Sequence, residues 1–285
     1  MGNRPLRLGL VATAIAAVLI GAIWVYPDDA PLQLTNDGEL GLSSLANQMR
    51  VRSSPLQRPP DEPESSAWVV LLPRPTDDAE LGGLVRYVRA GGTLVLGGAT
   101  DEANRVAAAL GIQGRLSSGT ILDPVLNQDN PAFPRVALQR DESVTAVLNR
   151  PATVLEAASG AGRAQTSRFS FHDLNGDGVW QEGEPVGSFP VIAQEKSGSG
   201  SVVLLGSSTL FINGLWGQNQ RMVQEVLAGK SVYLAVDASP LTPLAVAKTM
   251  VADARDLVRT PLVFSLLLPV LVALMEPRWG DQGGL

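Results

Sequence analysis

The chain has 285 residues, a formal net charge of −6, no cysteine, and a single histidine, His172. These counts exclude disulfides, thiolate nucleophiles and cysteine-ligated metal centres, and they leave histidine-dependent chemistry one ring to work with. An acidic chain without a basic stripe also argues against a nucleic-acid partner. A mean hydropathy of +0.13 is high for a water-soluble protein and points to membrane segments.

The first such segment opens the chain. Leu8 to Tyr26 is a run of 19 residues without charge, preceded by Arg4 and Arg7 and followed by Asp28 and Asp29. As a helix it would cover about 28 Å, close to the thickness of a bilayer core. The positive-inside bias puts Met1 in the cytoplasm and residue 30 onward outside. The run exceeds a signal-peptide core and no small-x-small cleavage site follows it, so residues 1–29 are expected to be an uncleaved anchor.

Residues 30–240 have the patterning of an α/β domain. Val51 to Ser66 carries four prolines among charges and reads as a mobile loop or linker. Trp68 to Pro73 is a continuous apolar run, the pattern of a strand covered on both faces. Thr76, Asp77, Asp78 and Glu80 then form a helix start, and Leu81, Leu84, Val85 and Val88 recur at helical spacing before Gly91 and Gly92 end it. Thr93 to Leu96 is a second buried strand, completing a β-α-β unit. A helix is expected from Asp101 to Leu110. The region 115–196, rich in proline and asparagine, reads as a β-rich insertion. Ser201 to Leu205 is a buried strand; a helix carrying Met222, Val223, Val226 and Leu227 stops at Gly229; and Ser231 to Val236 is a further strand. Such alternation predicts a mostly parallel sheet with helices on both faces.

After this domain, residues 241–259 place apolar side chains on one helical face and Lys248, Arg255 and Arg259 on the other, the pattern of an amphipathic juxtamembrane helix. Pro261 to Met275 is free of charge and is read as a second transmembrane helix over 260–276, leaving 277–285 as a tail. The charge balance around it, with three basic residues outside and Arg278 alone inside, runs against that topology.

The sharpest local motif satisfies D-x-[DN]-x-[DN]-G-x5-E, with Asp173, Asn175 and Asp177 at positions 1, 3 and 5 and Glu184 at position 12. Oxygens of Asp173, Asn175, Asp177, Gln181 and Glu184 and the Val179 carbonyl could converge on one cation, Gly178 permitting the sharp turn. A flexible all-oxygen cage suits Ca2+ in a structural role. No flanking helices are expected, because Thr166 to Phe171 reads as a strand and Pro185 follows directly, so the loop would sit in a β-hairpin. A metal-free turn of the same residues is the other reading.

Together these stretches resemble a membrane-anchored prokaryotic family, a domain of unknown function similar to class I glutamine amidotransferases and related to the gliding-motility and intraflagellar-transport domain type. The resemblance rests on Asn36 to Leu45, Trp68 to Gly98, Asn130 to Pro134, Val147 to Pro151, Asp173 to Pro185 with Phe189 and Pro190, and Gly206 to Asn213. It implies a flavodoxin-like α/β sandwich, often encoded beside MoxR-type ATPases and other membrane proteins. Amidotransferases of this fold use a cysteine nucleophile with a histidine, and this chain has no cysteine.

Ser207 and Ser208 follow a strand as an elbow nucleophile would, but the G-x-S-x-G spacing is absent. Ser207, Ser208 and Asn213 are therefore candidate ligand contacts at the carboxyl end of a parallel strand, or caps of a turn. The expected function is a catalytically inactive amidotransferase-like domain outside the cytoplasmic membrane, acting on the bilayer and on membrane partners by binding. The alternatives are a hydrolase or carbohydrate-acting enzyme using Ser207 or Ser208, and an accessory component of a transporter.

Overall fold

The computed structural model describes residues 30–72, 74–158, 162–227 and 229–235. The elements in chain order are helix α1 (Ser43–Met49), strands β1 (Arg52–Ser53) and β2 (Ser66–Leu72), α2 (Asp78–Arg89), β3 (Thr93–Gly98) and α3 (Thr100–Ala109). A run of short strands follows: β4 (Arg115–Leu116), β5 (Thr120–Leu122), β6 (Asn127–Gln128), β7 (Asn130–Leu138), β8 (Asp141–Val147), β9 (Val154–Leu155), β10 (Gly162–Gln165), β11 (Phe171–Asp173) and β12 (Pro190–Ser197). Strand β13 (Gly200–Leu205), two 3-10 turns (Ser208–Phe211 and Asn213–Leu215), α4 (Trp216–Leu227) and β14 (Ser231–Leu234) complete the domain.

The expected β-α-β unit is present. Asp77 Oδ1 accepts the Glu80 amide at 2.8 Å while Glu80 Oε2 accepts the Asp77 amide at 3.0 Å, a reciprocal cap that fixes the start of α2. Leu84, Tyr87 and Val88 of α2 are buried against the sheet. The Tyr87 ring meets the fully buried Trp68 edge to face at 5.3 Å. Each fully buried Leu or Val in such a contact contributes roughly 1.5–3 kcal/mol of transfer free energy.

The main sheet runs in the order β1-β14-β2-β3-β13-β12-β10-β7-β6, with β8 also on β7. The expectation of a mostly parallel sheet is corrected here. The ladders from β1 through β14, β2 and β3 to β13 are parallel. From β13 outward every ladder is antiparallel. The reversal follows from the tight turn between β12 and β13, where Gly198 adopts φ +59°. The β-rich region expected over 115–196 extends the main sheet through β7, β8, β10 and β12.

Side chains alternate between two cores. Ala67, Val69 and Leu71 of β2 face one cluster with Leu45 of α1 and Met222, Val223 and Val226 of α4. Trp68 and Val70 face the other, with Leu84 and Val88 of α2 and Ala103, Val106 and Ala107 of α3. Helices therefore cover both faces of the parallel half.

Two local expectations change. Residues 51–66 are not a mobile linker: β1 pairs with β14, Leu56 is fully buried, and the Trp68 indole donates to the Ser54 carbonyl at 3.4 Å. Thr166 to Phe171 is a strand only at Phe171, because the Ser167 and Ser170 hydroxyls bend the chain towards Asp123. Among the described residues no helix is long and apolar enough to cross a membrane. The expected anchor at 1–29, the juxtamembrane helix at 241–259, the span at 260–276 and the tail at 277–285 lie outside the described residues.

Candidate functional site

Helices α2 and α3 follow β2 and β3 onto one face, whereas α4 follows β13 onto the other. The connections therefore part between the carboxyl ends of β3 and β13, where open α/β sheets bind ligands. Residues 206–213 leave β13 at this point. Gly206 lets two backbones meet there: its carbonyl accepts the Ala152 amide at 2.9 Å, and a Cβ at this position would lie 2.0 Å from the Ala152 oxygen.

The polar side chains of the turn, Ser208 excepted, are spent on the fold. Ser207 Oγ donates to the Asn149 carbonyl at 3.0 Å and shares a 2.8 Å bond with Thr209 Oγ1, which accepts the Asn149 amide at 2.9 Å. Its backbone is extended (φ −152°), without the strain of a nucleophile elbow. Asn213 Oδ1 accepts the Ser44 amide at 2.9 Å, and its Nδ2 donates to the Asn36 and Gly38 carbonyls and to Ser43 Oγ. Asn219, fully buried, grips both the amide and the carbonyl of Val147. Three of the stretches that carry the family resemblance, 36–45, 147–151 and 206–213, thus interlock at one place. The Ser208 hydroxyl has no hydrogen-bond partner among the described residues.

His172 serves a different part of the molecule. It lies on β11, paired with β5, and its Nε2 is 2.7 Å from the Ser118 carbonyl and 3.3 Å from Ser117 Oγ. A carbonyl only accepts, so Nε2 carries the proton and has no lone pair for a serine. Neither Ser207 nor Ser208 is hydrogen-bonded to it.

The loop after β11 is closed by the Phe171–Val186 bridge and by the His172 amide donating to the Pro185 carbonyl at 2.9 Å, the hairpin setting expected. Fully buried Asp173 accepts the Gly176 and Gly178 amides, and Gly178 takes φ +79° to allow it. Glu184 accepts the Leu174 and Gln181 amides. Asp177 accepts from the Asn175 and Gln181 side-chain amides and from the Val179 amide. Among the described residues no three histidine, cysteine, aspartate or glutamate side chains stand gathered around a metal position. The donor set suits a hard cation, since Asp173, Asn175, Asp177, Gln181, Glu184 and the Val179 carbonyl are all oxygen ligands. A cation there would displace the Asn175 and Gln181 amides from Asp177.

Several buried polar groups escaped the sequence reading. Asp123, fully buried, accepts the Val125 and Leu126 amides and the Ser167 and Ser170 hydroxyls. Glu195 accepts the Gln113 and Gly114 amides. Asp123 precedes Pro124, a turn signal that could have marked it; nothing in their neighbours marks Glu195 or Asn219. Glu102 in the first turn of α3 accepts the Thr76 amide and hydroxyl, joining the segment after β2 to that after β3. The Arg105 guanidinium foremost, and then Thr76, hold its carboxyl down at about 2 against the opposing effect of burial.

A domain of unknown function, DUF4350, matches residues 35–227. The chain belongs to the DUF4350 family. No curated protein matches the sequence. Among solved structures, the chain is similar to the mmIFT52 N-terminal domain at 15% identity and TM-score 0.42, covering 56% of this chain and 76% of that one. It is similar to the exo-β-1,4-mannosidase Op5Man5 from Opitutaceae bacterium strain TAV5 at 12% identity and TM-score 0.30, covering 56% of this chain and 23% of that one. A β-galactosidase from Bacillus circulans sp. alkalophilus matches at 11% identity and TM-score 0.36, covering 56% of this chain and 22% of that one. The chain spans under a quarter of the length of these two glycosidases. The DUF4350 match contains the interlocked segments around Asn213 and the whole 173–184 loop.

Proposed function

We propose that this DUF4350 chain is a membrane-anchored, amidotransferase-like domain of flavodoxin-like type, displayed outside the cytoplasmic membrane and acting by binding a ligand or partner rather than by catalysis. The supporting observation is the commitment of the Ser207 hydroxyl to the Asn149 carbonyl and of His172 Nε2 to the Ser118 carbonyl. A serine hydrolase needs a hydroxyl and an imidazole lone pair on each other, and a chain without cysteine has no thiol to replace them. The 19-residue apolar run at Leu8 to Tyr26, with arginines before it and aspartates after it, supports the anchor and its orientation.

The same reading gives the 173–184 loop a structural Ca2+, held by Asp173, Asn175, Asp177, Val179, Gln181 and Glu184. Membrane proteins of an ATPase-linked assembly of the MoxR type are the partners that the family resemblance suggests.

The test is a fluorophosphonate probe on the full chain in detergent, with protease treatment of spheroplasts for topology. The reading expects no covalent labelling at Ser207 or Ser208, and cleavage within 30–235 from outside. Labelling that disappears in Ser207→Ala or Ser208→Ala would establish a hydrolase instead, and a protected domain would reverse the orientation.

A further inference from the structure

Among the described residues, one face of the antiparallel half of the main sheet carries no helix. Val136 and Leu138 of β7, Val144 and Ala146 of β8 and Ala164 of β10 point into the core shared with α4. The core under α2 and α3 reaches only as far as Ala193 of β12. Among the described residues no helix covers the opposite face of β7, β8 and β10, and it forms a cleft of about 400 Å³. That volume falls within the range of small-ligand sites.

The register defines what lines it. Ala137 pairs with Thr145 on one side and with Gln165 on the other, so Thr145 and Gln165 stand in one row across three strands. Arg135, two residues before Ala137 on β7, and Gln139, just past the end of β7, line the cleft on either side of that row. Arg168 and Glu142 also line it. Gln139 Nε2 donates to Gln165 Oε1 at 3.1 Å, which orients both amides.

The charge of the cleft opposes that of the chain. Its two guanidinium groups outnumber its one carboxylate, although the chain as a whole carries −6. Among the described residues the Arg135 guanidinium has no hydrogen-bond or ion-pair partner, and that of Arg168 has only the Phe169 ring, 4.9 Å from its guanidinium carbon. Arginine forks left open in a concave site fit carboxylates in bidentate pairs. The remaining lining, planar amides and a threonine hydroxyl, suits a hydroxyl-rich ligand.

We propose that this cleft binds an acidic oligosaccharide, with Arg135 and Arg168 on its carboxylates and Gln139, Thr145 and Gln165 on its hydroxyls. An extended peptide is less suited, because strand addition uses the free backbone groups of a sheet edge. Here the lining side chains stand on a face of the sheet, over the ladders of β7 with β8 and β10. The proposal rests on the reading of the domain as a binding module.

Calorimetric titration of the full chain in detergent tests it, with tetragalacturonate as probe and maltotetraose and tetraglutamate as comparisons. Tetragalacturonate is expected to bind, and Arg135→Ala and Arg168→Ala are each expected to weaken it about tenfold, the loss of one charge-assisted pair. Both arginines are exposed, so the variants keep their fold, checked by circular dichroism. Absence of heat with tetragalacturonate, or heat unchanged in the double variant, overturns the proposal. Equal binding of maltotetraose removes the role of charge, and equal binding of tetraglutamate assigns the cleft to an acidic peptide; either outcome also overturns it. A failure here combined with no fluorophosphonate labelling rejects the cleft and leaves the non-catalytic reading standing.

Discussion

Asn213 Oδ1 accepts the Ser44 amide at 2.9 Å across 169 residues of chain. The same side chain donates to two carbonyls and a hydroxyl of residues 36–43, so one amide satisfies groups that water would otherwise have to reach. Asn213→Ala strands them, and a loss of about 2–3 kcal/mol is expected from unpaired, part-buried groups. Urea unfolding of the full chain, followed by tryptophan fluorescence, measures it. A midpoint unchanged from wild type would remove Asn213 from the scaffold.

Gly206 makes a sharper prediction. A methyl group there would lie 2.0 Å from the Ala152 oxygen, against backbone on both sides. Gly206→Ala must move the β13 end or the 149–152 segment, and a cost above about 3 kcal/mol is expected, the upper range for single substitutions. Retained expression and a wild-type midpoint would contradict the close approach.

The pH dependence follows from Glu102. Its folded value, near 2, lies below its ordinary 4.5, so the stabilisation is complete above about pH 4.5 and disappears as pH falls towards 2. Arg105 is 40% exposed, so solvent screening reduces the contribution to about 1–2 kcal/mol. Wild type and Glu102→Gln should therefore differ in unfolding midpoint at pH 7 and converge near pH 2. A difference constant across that window would assign the effect to packing.

Calcium is checked by mass action. With a dissociation constant of about 0.1–1 mM, usual for extracellular modules, 10 mM Ca2+ should add about 1.4–2.7 kcal/mol. Asp177→Ala should abolish the gain. The Trp180 indole donates to the Glu184 carbonyl at 3.1 Å, so its fluorescence should report the same titration. Identical unfolding with calcium and with chelator would leave the loop a hydrogen-bonded turn.

The parallel half of the fold was legible because its signals are local. Continuous apolar runs, a capping box and paired glycines lie within Trp68 to Leu96, and the structure places strands and helix there with ends moved by a residue or two. The antiparallel half was legible only as a β-rich region. Its ladders carry register shifts, and the order of its strands in the sheet is set by pairings such as Ala137 with Gln165 that no window of sequence contains. Residues 51–66 misled for the opposite reason: prolines signal an absence of helix, and only the burial of Leu56 shows that the segment packs. In the candidate site, the pattern located Ser207 and Asn213 correctly in a turn after β13. It could not show that their polar atoms face Asn149 and Ser44, because those partners are distant in the chain.

The pairing of β1 with β14 adds a constraint on synthesis. Arg52 meets Tyr233, and residues 36–44 meet Asn213, so the earliest part of the domain to leave the ribosome docks on the latest. Until α4 and the final strand emerge, the nascent chain must carry Leu42 and Leu45 without much of the core that buries them. A truncation before residue 213 is therefore expected to expose the first segment as well as delete the last. For this domain, the interval between the beginning and the end of translation is the period of greatest risk of aggregation and of proteolysis.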